Sequence, residues 1–151
     1  MSPVVGLSPR LIFHRLREGS DILEEIKRVA ESHDVRAATF NMIGGVDRLV
    51  VGVYRGGGQY EKRVFEEFME VVSCTGTISR RLNGEVAVHA HIAAGNWSKV
   101  VVGHLMPGSR VKGTGELVIV EAERAELVRA PDPETGLELL QTDPAVLEVE
   151  G

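Results

Sequence analysis

Residues 84–116, GEVAVHAHIAAGNWSKVVVGHLMPGSRVKGTGE, carry three of the five histidines in the chain, and their patterning decides how the rest is read. In Val86–Ala93 the β-branched residues and alternation predict a strand, whose period of two puts His89 and His91 on one face. Gly95-Asn96-Trp97-Ser98 interrupts with turn residues, and Lys99 to Met106 resumes as a second strand, so the pair reads as a β-hairpin. If Ala94 pairs with Lys99, His91 lies across from Val102 and His89 across from His104, with all three imidazoles on the same side. A slip of one residue would turn His104 away. Opposed side chains have Cβ atoms about 4.5–5.5 Å apart, which lets three neutral imidazoles converge on a Zn²⁺ at about 2.0–2.1 Å per nitrogen. One coordination position would stay open. Nickel, copper and iron accept the same donors. A His-x-His pair also occurs on strands as plain surface or satisfied core, so the residues alone leave ligand and structural readings side by side.

Outside this stretch the chain reads as one domain, 1–151, with residues after Gln141 as a C-terminal tail. A length of 151 residues with 43% hydrophobic and 26% charged content supplies one core and its cover. One cysteine excludes an intrachain disulfide and fits a reducing, cytoplasmic setting. Met1–Gly6 lacks the basic start and apolar run of a signal peptide, and no stretch approaches the ~20 apolar residues of a membrane span. A formal charge of −5 repels polyanions. Arg10, Arg15, Arg17 and Arg80-Arg81 are short basic groups that read as solvated surface, so DNA is weakly supported as a partner.

Pro9–Arg17 predicts a first strand, and Glu18–Asp21 a turn that caps a helix running to about His33. Its apolar positions Ile22, Leu23, Ile26, Val29 and Ala30 keep helical spacing, and His33 stands at the C-terminal end as a cap. Residues 36–43 and 48–54 suggest two strands joined by a Gly44-Gly45 turn, because no helix start follows to make those glycines a phosphate cradle. Gly56–Gly58 reads as a mobile loop before an exposed edge at Tyr60–Glu67. Phe68–Ile78, apolar on both faces, suits a central strand or one covered by another subunit. Glu70 is its exception. A carboxylate buried there would need a partner, as fourth ligand, outer acceptor, general base or ion pair. Cys74 reads as a packed thiol. Pro107-Gly108 predicts a tight turn before a strand at Val111 and another over Gly115–Ala122, which brings Glu116 toward the histidines as a second candidate acid. After Pro131-Asp132-Pro133 a short apolar segment is expected to dock on the sheet.

Taken in order, Arg15-Leu-Arg-Glu-Gly-Ser-Asp-Ile22, Ile43-Gly-Gly-Val46, Phe68-Met-Glu70-Val-Val-Ser73, His89-Ala-His91, Val102-Gly-His104-Leu105, Gly115-Glu116-Leu-Val-Ile119 and Asp132-Pro-Glu-Thr-Gly-Leu137 resemble the plant and prokaryote conserved (PPC) domain. The resemblance implies an α+β fold, a mostly antiparallel sheet with one principal helix packed on it, a homotrimer, and a metal held in some prokaryotic relatives by the residues matching His89, His91 and His104. Plant members add an Arg-Gly-Arg-Pro AT-hook for the minor groove, which this sequence does not contain. Val102 stands where the family commonly has glycine, and Ala94-Gly95-Asn96 where an acidic loop is usual. A more distant likeness to acetolactate decarboxylase implies zinc on a comparable histidine set, acting as a Lewis acid with an arginine and glutamates; Glu70 and Glu116 are the candidate acids here, and no arginine stands out. Three functions follow as expectations: a module that binds DNA or a protein partner, a metal-dependent enzyme on a small anionic substrate, or a metal that only ties the hairpin or trimer together.

Overall fold

The chain, described here over residues 7–142 by a computed structural model, builds nine strands and one helix in which the sheet wraps the helix. Met1–Gly6 and residues 143–151, and with them the leader and tail readings, lie outside the described residues. The elements are β1 (Leu7–Arg17), α1 (Ile22–Ser32), β2 (Ala38–Gly56), β3 (Gln59–Phe65), β4 (Met69–Arg81), β5 (Val86–Gly95), β6 (Val100–Leu105), β7 (Arg110–Glu123), β8 (Val128–Asp132) and β9 (Leu137–Gln141). All pairings are antiparallel except β4 with β8.

Asp21 ends the turn and caps α1, its Oδ1 accepting from the Glu24 N–H at 3.1 Å and its Oδ2 from Gly108 N–H at 2.6 Å. The apolar stripe Ile22, Leu23, Ile26, Val29 and Ala30 is buried, as its spacing predicts. At the far end the His33 N–H donates to Val29 O, and its ring Nδ1 lies 2.9 Å from the same carbonyl. The stripe packs with Leu16, Phe40, Ile78, Ala90, Ile92 and Ile119 from the concave side of the sheet. Full burial of one such Leu, Ile or Phe contributes about 1.5–3 kcal/mol.

Two pairs of expected strands are single strands. Residues 38–56 run unbroken as β2 through Gly44-Gly45, which bend the strand and do not reverse it. Here β7 passes too close for side chains: a Cβ on Gly44, at φ +148°, would lie 2.2 Å from Thr114 O, and one on Gly45 2.6 Å from Lys112 O. Backbone approach, not turn geometry, is what demands glycine at this point. Likewise 110–123 form one strand, β7, paired along both β1 and the first half of β2. Gly57-Gly58, expected to be a mobile loop, closes the β2–β3 hairpin, and Gly58 N–H donates to Thr135 O in the β8–β9 turn at 2.7 Å.

The bend lets β2 change neighbours. Its first half lies between β7 and β4, and its second half between β3 and β6. Since β4 pairs with β5 and β5 with β6, the strands β2–β4–β5–β6 close into a ring. β3 forms an exposed edge, as expected. β8 and β9 fold as a hairpin beside the end of β4, which realises the docked apolar segment.

Candidate metal centre

The β5–β6 hairpin forms with a different register from the one expected. Asn96 Oδ1 accepts from the N–H groups of Ser98 (2.9 Å) and Lys99 (3.2 Å), while Asn96 N–H donates to Lys99 O (3.0 Å). This local turn pairs Gly95 with Val100 and so sets His91, not His89, across from His104. The slide is of two residues, which preserves the period of two and leaves all three rings on the side turned away from α1. Their centroids are 5.2 Å (His89–His91), 5.0 Å (His89–His104) and 5.6 Å (His91–His104) apart.

One donor nitrogen from each ring lies within 4.8 Å of the others. Ligands sharing a tetrahedral ion at 2.0–2.1 Å stand about 3.3 Å apart, so small ring rotations close the difference. The donor chemistry also fits. Burial, then Arg129 and His91, hold the His89 imidazole below its ordinary pKa; burial, then His89, His91 and Arg129, bring His104 down to about 4. Both rings are therefore neutral near pH 7, the form that binds a metal.

Around the cluster, Gly52 sits opposite His104, and the Tyr60 ring lies 4.8 Å from His104 between centroids. Thr77 and Thr75 on β4 stand opposite His89 and His91. The β8–β9 hairpin completes a cleft of about 290 Å³ lined by Tyr60, Val88, His89, His104, Arg129 and Leu139. Arg129 is half-buried there. Its Nε donates to Ser79 Oγ (3.1 Å), Nη1 to Glu138 O (3.0 Å) and Nη2 to Thr77 Oγ1 (3.1 Å), with Nη2 3.5 Å from His89 Nδ1. Burial lowers its pKa from the ordinary arginine value.

Neither candidate acid stands beside the histidines. Glu70 pairs with Gly95, four residues and about 13 Å along β5 from His91. It is exposed, as are Phe68 and Val72, so the expected buried carboxylate with a partner does not arise; β4 is central by hydrogen bonding, yet this chain leaves one of its faces uncovered. Glu116 is exposed on β7 and level with Ile43, three strand spacings or about 14 Å from β5. Its neighbours are Phe13, Asn41, Ile43 and Val118. Cys74 is buried, and burial pushes its thiol up to about 12, which is the packed thiol expected. Sequence reading missed Arg129 and Tyr60. The only signal for Arg129 was a lone cation in the apolar run Leu127-Val128-Arg129-Ala130, and nothing marked Tyr60 within a charged edge strand.

Residues 5–123 match the Plants and Prokaryotes Conserved (PCC) domain. Among solved structures, the chain is similar to a metal-containing protein from Archaeoglobus fulgidus (27% identity, TM-score 0.86, 93% of this chain and 99% of that one). It is also similar to a plant- and prokaryote-conserved (PPC) protein from Pyrococcus horikoshii (26%, 0.85, 93% and 97%). A protein from Bacteroides thetaiotaomicron named as a candidate DNA-binding protein shares the fold at 24% identity and a TM-score of 0.79, over 87% and 92%. Of curated sequences, bifunctional protein GlmU from Synechococcus sp. strain JA-3-3Ab is 29% identical over 123 residues, 81% of this chain and 19% of that protein. The chain thus spans about a fifth of the length of that relative.

Proposed function

The chain belongs to the Plants and Prokaryotes Conserved (PCC) domain family, and from that premise we propose that it is a PCC module in which His89, His91 and His104 hold one divalent transition metal, zinc before the others. The observation that carries this reading is the meeting of three imidazole nitrogens within 4.8 Å on one sheet face. The relative from Archaeoglobus fulgidus, described as metal-containing, supports it. When bound at three protein ligands, such an ion keeps a position open and serves as a Lewis acid. The residues of this chain supply the rest: Thr75 and Thr77 flank the rings, Arg129 places a fixed positive charge beside His89, and β8–β9 with Tyr60 narrows access by water. Elemental analysis of the purified protein should give one metal per chain, and His89→Ala should lose most of it. Equal metal in both proteins would end this reading.

The module self-associates as a homotrimer through the uncovered sheet face. Phe13 and Val72 are 76% and 71% exposed there, with Leu11 and Ile43 beside them, more apolar surface than an isolated chain usually shows water. DNA contact is the reading that a net charge of −5 disfavours; if present, it should weaken steeply with added salt. The second reading, a metal-dependent lyase in the manner of acetolactate decarboxylase, is favoured by the cleft that opens onto two of the histidines. Metal-dependent release of CO₂ from acetolactate would establish it.

A further inference from the structure

We propose that Arg129 and the metal position form a two-point site for a small carboxylate bearing a second oxygen donor, of the 2-oxo or 2-hydroxy acid class. The inference rests on the metal reading above and adds an anion to it. Charge supplies the first argument. The Arg129 guanidinium is half-buried, and its three hydrogen bonds within 3.2 Å go to neutral oxygens. Among the described residues it forms no ion pair: the nearby Glu138 carboxylate is held instead by Arg81 at 2.8 Å. The histidine cluster contributes no carboxylate either. Arg81 and Glu138 both line the cleft and offset each other, so a divalent ion beside the Arg129 guanidinium would leave three positive charges there unbalanced, a state that strongly favours an incoming anion.

Donor inventory supplies the second argument. A guanidinium has five N–H groups. Of those on Arg129, the second on Nη1 has no acceptor among the described residues, and the second on Nη2 has only His89 Nδ1 at the long distance of 3.5 Å. These belong to the two terminal nitrogens, the pair that grips a planar carboxylate in parallel. Ser79, fully buried, and Thr77 hold the fork from behind, so it is already ordered when a ligand arrives. With the carboxylate on Arg129, whose Nη2 lies 3.5 Å from His89 Nδ1, a neighbouring oxo or hydroxyl oxygen would be within reach of a metal held by the histidines. The cleft, about 290 Å³, accepts a molecule of a few carbons.

Calorimetric titration of the zinc-loaded full chain with pyruvate, and separately with lactate, tests this, with zinc content measured before and after. One saturable site per chain is expected. Arg129→Met should weaken it at least tenfold, Arg129→Lys should fall between, and zinc content should be unchanged in both. If Arg129→Met does not fold, as its melting curve will show, Ser79→Ala loosens the same guanidinium and should weaken binding in the same direction. Zinc-loaded protein that binds neither acid, or an Arg129→Met protein that binds them as tightly as the parent, overturns the anion site while the metal reading stands. A chain that takes up no zinc overturns both, and the metal analysis tells the two failures apart.

Discussion

A Cβ built on Gly76 would stand 1.9 Å from His89 O and 2.9 Å from Ala90 Cα, closer than atoms can approach. Glycine at this position in β4 is what lets β5 lie near enough to hold His89 over Thr77. Gly76→Ala should therefore displace the His89 backbone, cost about 1–3 kcal/mol in urea unfolding and lower metal affinity together. An affinity that stayed at the parent value would separate this glycine from the site. Glu25 gives a residue-scale prediction about pH. The hydrogen bond from Arg28, opposed in part by burial and aided by His14, holds its carboxyl down to about 2. The unfolded chain takes up that proton near 4.5, so the pair's stabilisation is complete above that value and is lost as pH falls from about 4.5 to 2. Glu25→Gln should flatten that part of the stability curve, measured by denaturant unfolding at pH 3 and pH 6.

The β5–β6 hairpin is the element on which the cluster depends. Asn96 organises its turn, and its Nδ2 also donates to Glu67 Oε2 (2.9 Å) and Phe68 O (3.0 Å), which ties the tip to the segment before β4. Asn96→Ala removes these bonds at once. It should lower stability by about 1–2 kcal/mol and weaken metal uptake, because the turn fixes which residue faces His104; unchanged uptake would show that β4 and β2 alone hold the register. The hairpin itself was legible, since alternation and turn residues carry it. Its register was not, because a four-residue loop placed one position earlier or later satisfies the same pattern. The parity survived the error, and with it the common face.

Across the whole molecule, the face turned from α1 reads in rows. Phe13, Val118, Asn41, Thr75, His91 and His104 are successive partners across six strands. Apolar groups occupy the β1 end of this face and the histidines the β6 end. If the proposed trimer forms through this face, Phe13→Glu should lower the molar mass seen in light scattering while leaving the metal content intact; an unchanged molar mass would remove Phe13 from any subunit contact. The helix α1, its cap and the edge β3 were legible from local spacing, and the antiparallel α+β fold was legible through the family resemblance. The continuity of β2 and β7 was not, because glycines that serve close backbone approach look the same in sequence as glycines that serve turns. By itself the sequence determined that three imidazoles share one side of a hairpin, since that follows from a two-residue period within a short stretch. Only the tertiary structure decided what surrounds them: it sent Glu70 and Glu116 elsewhere and brought in Arg129, because a residue 40 positions along the chain from His89 becomes its neighbour only when β8 pairs with β4.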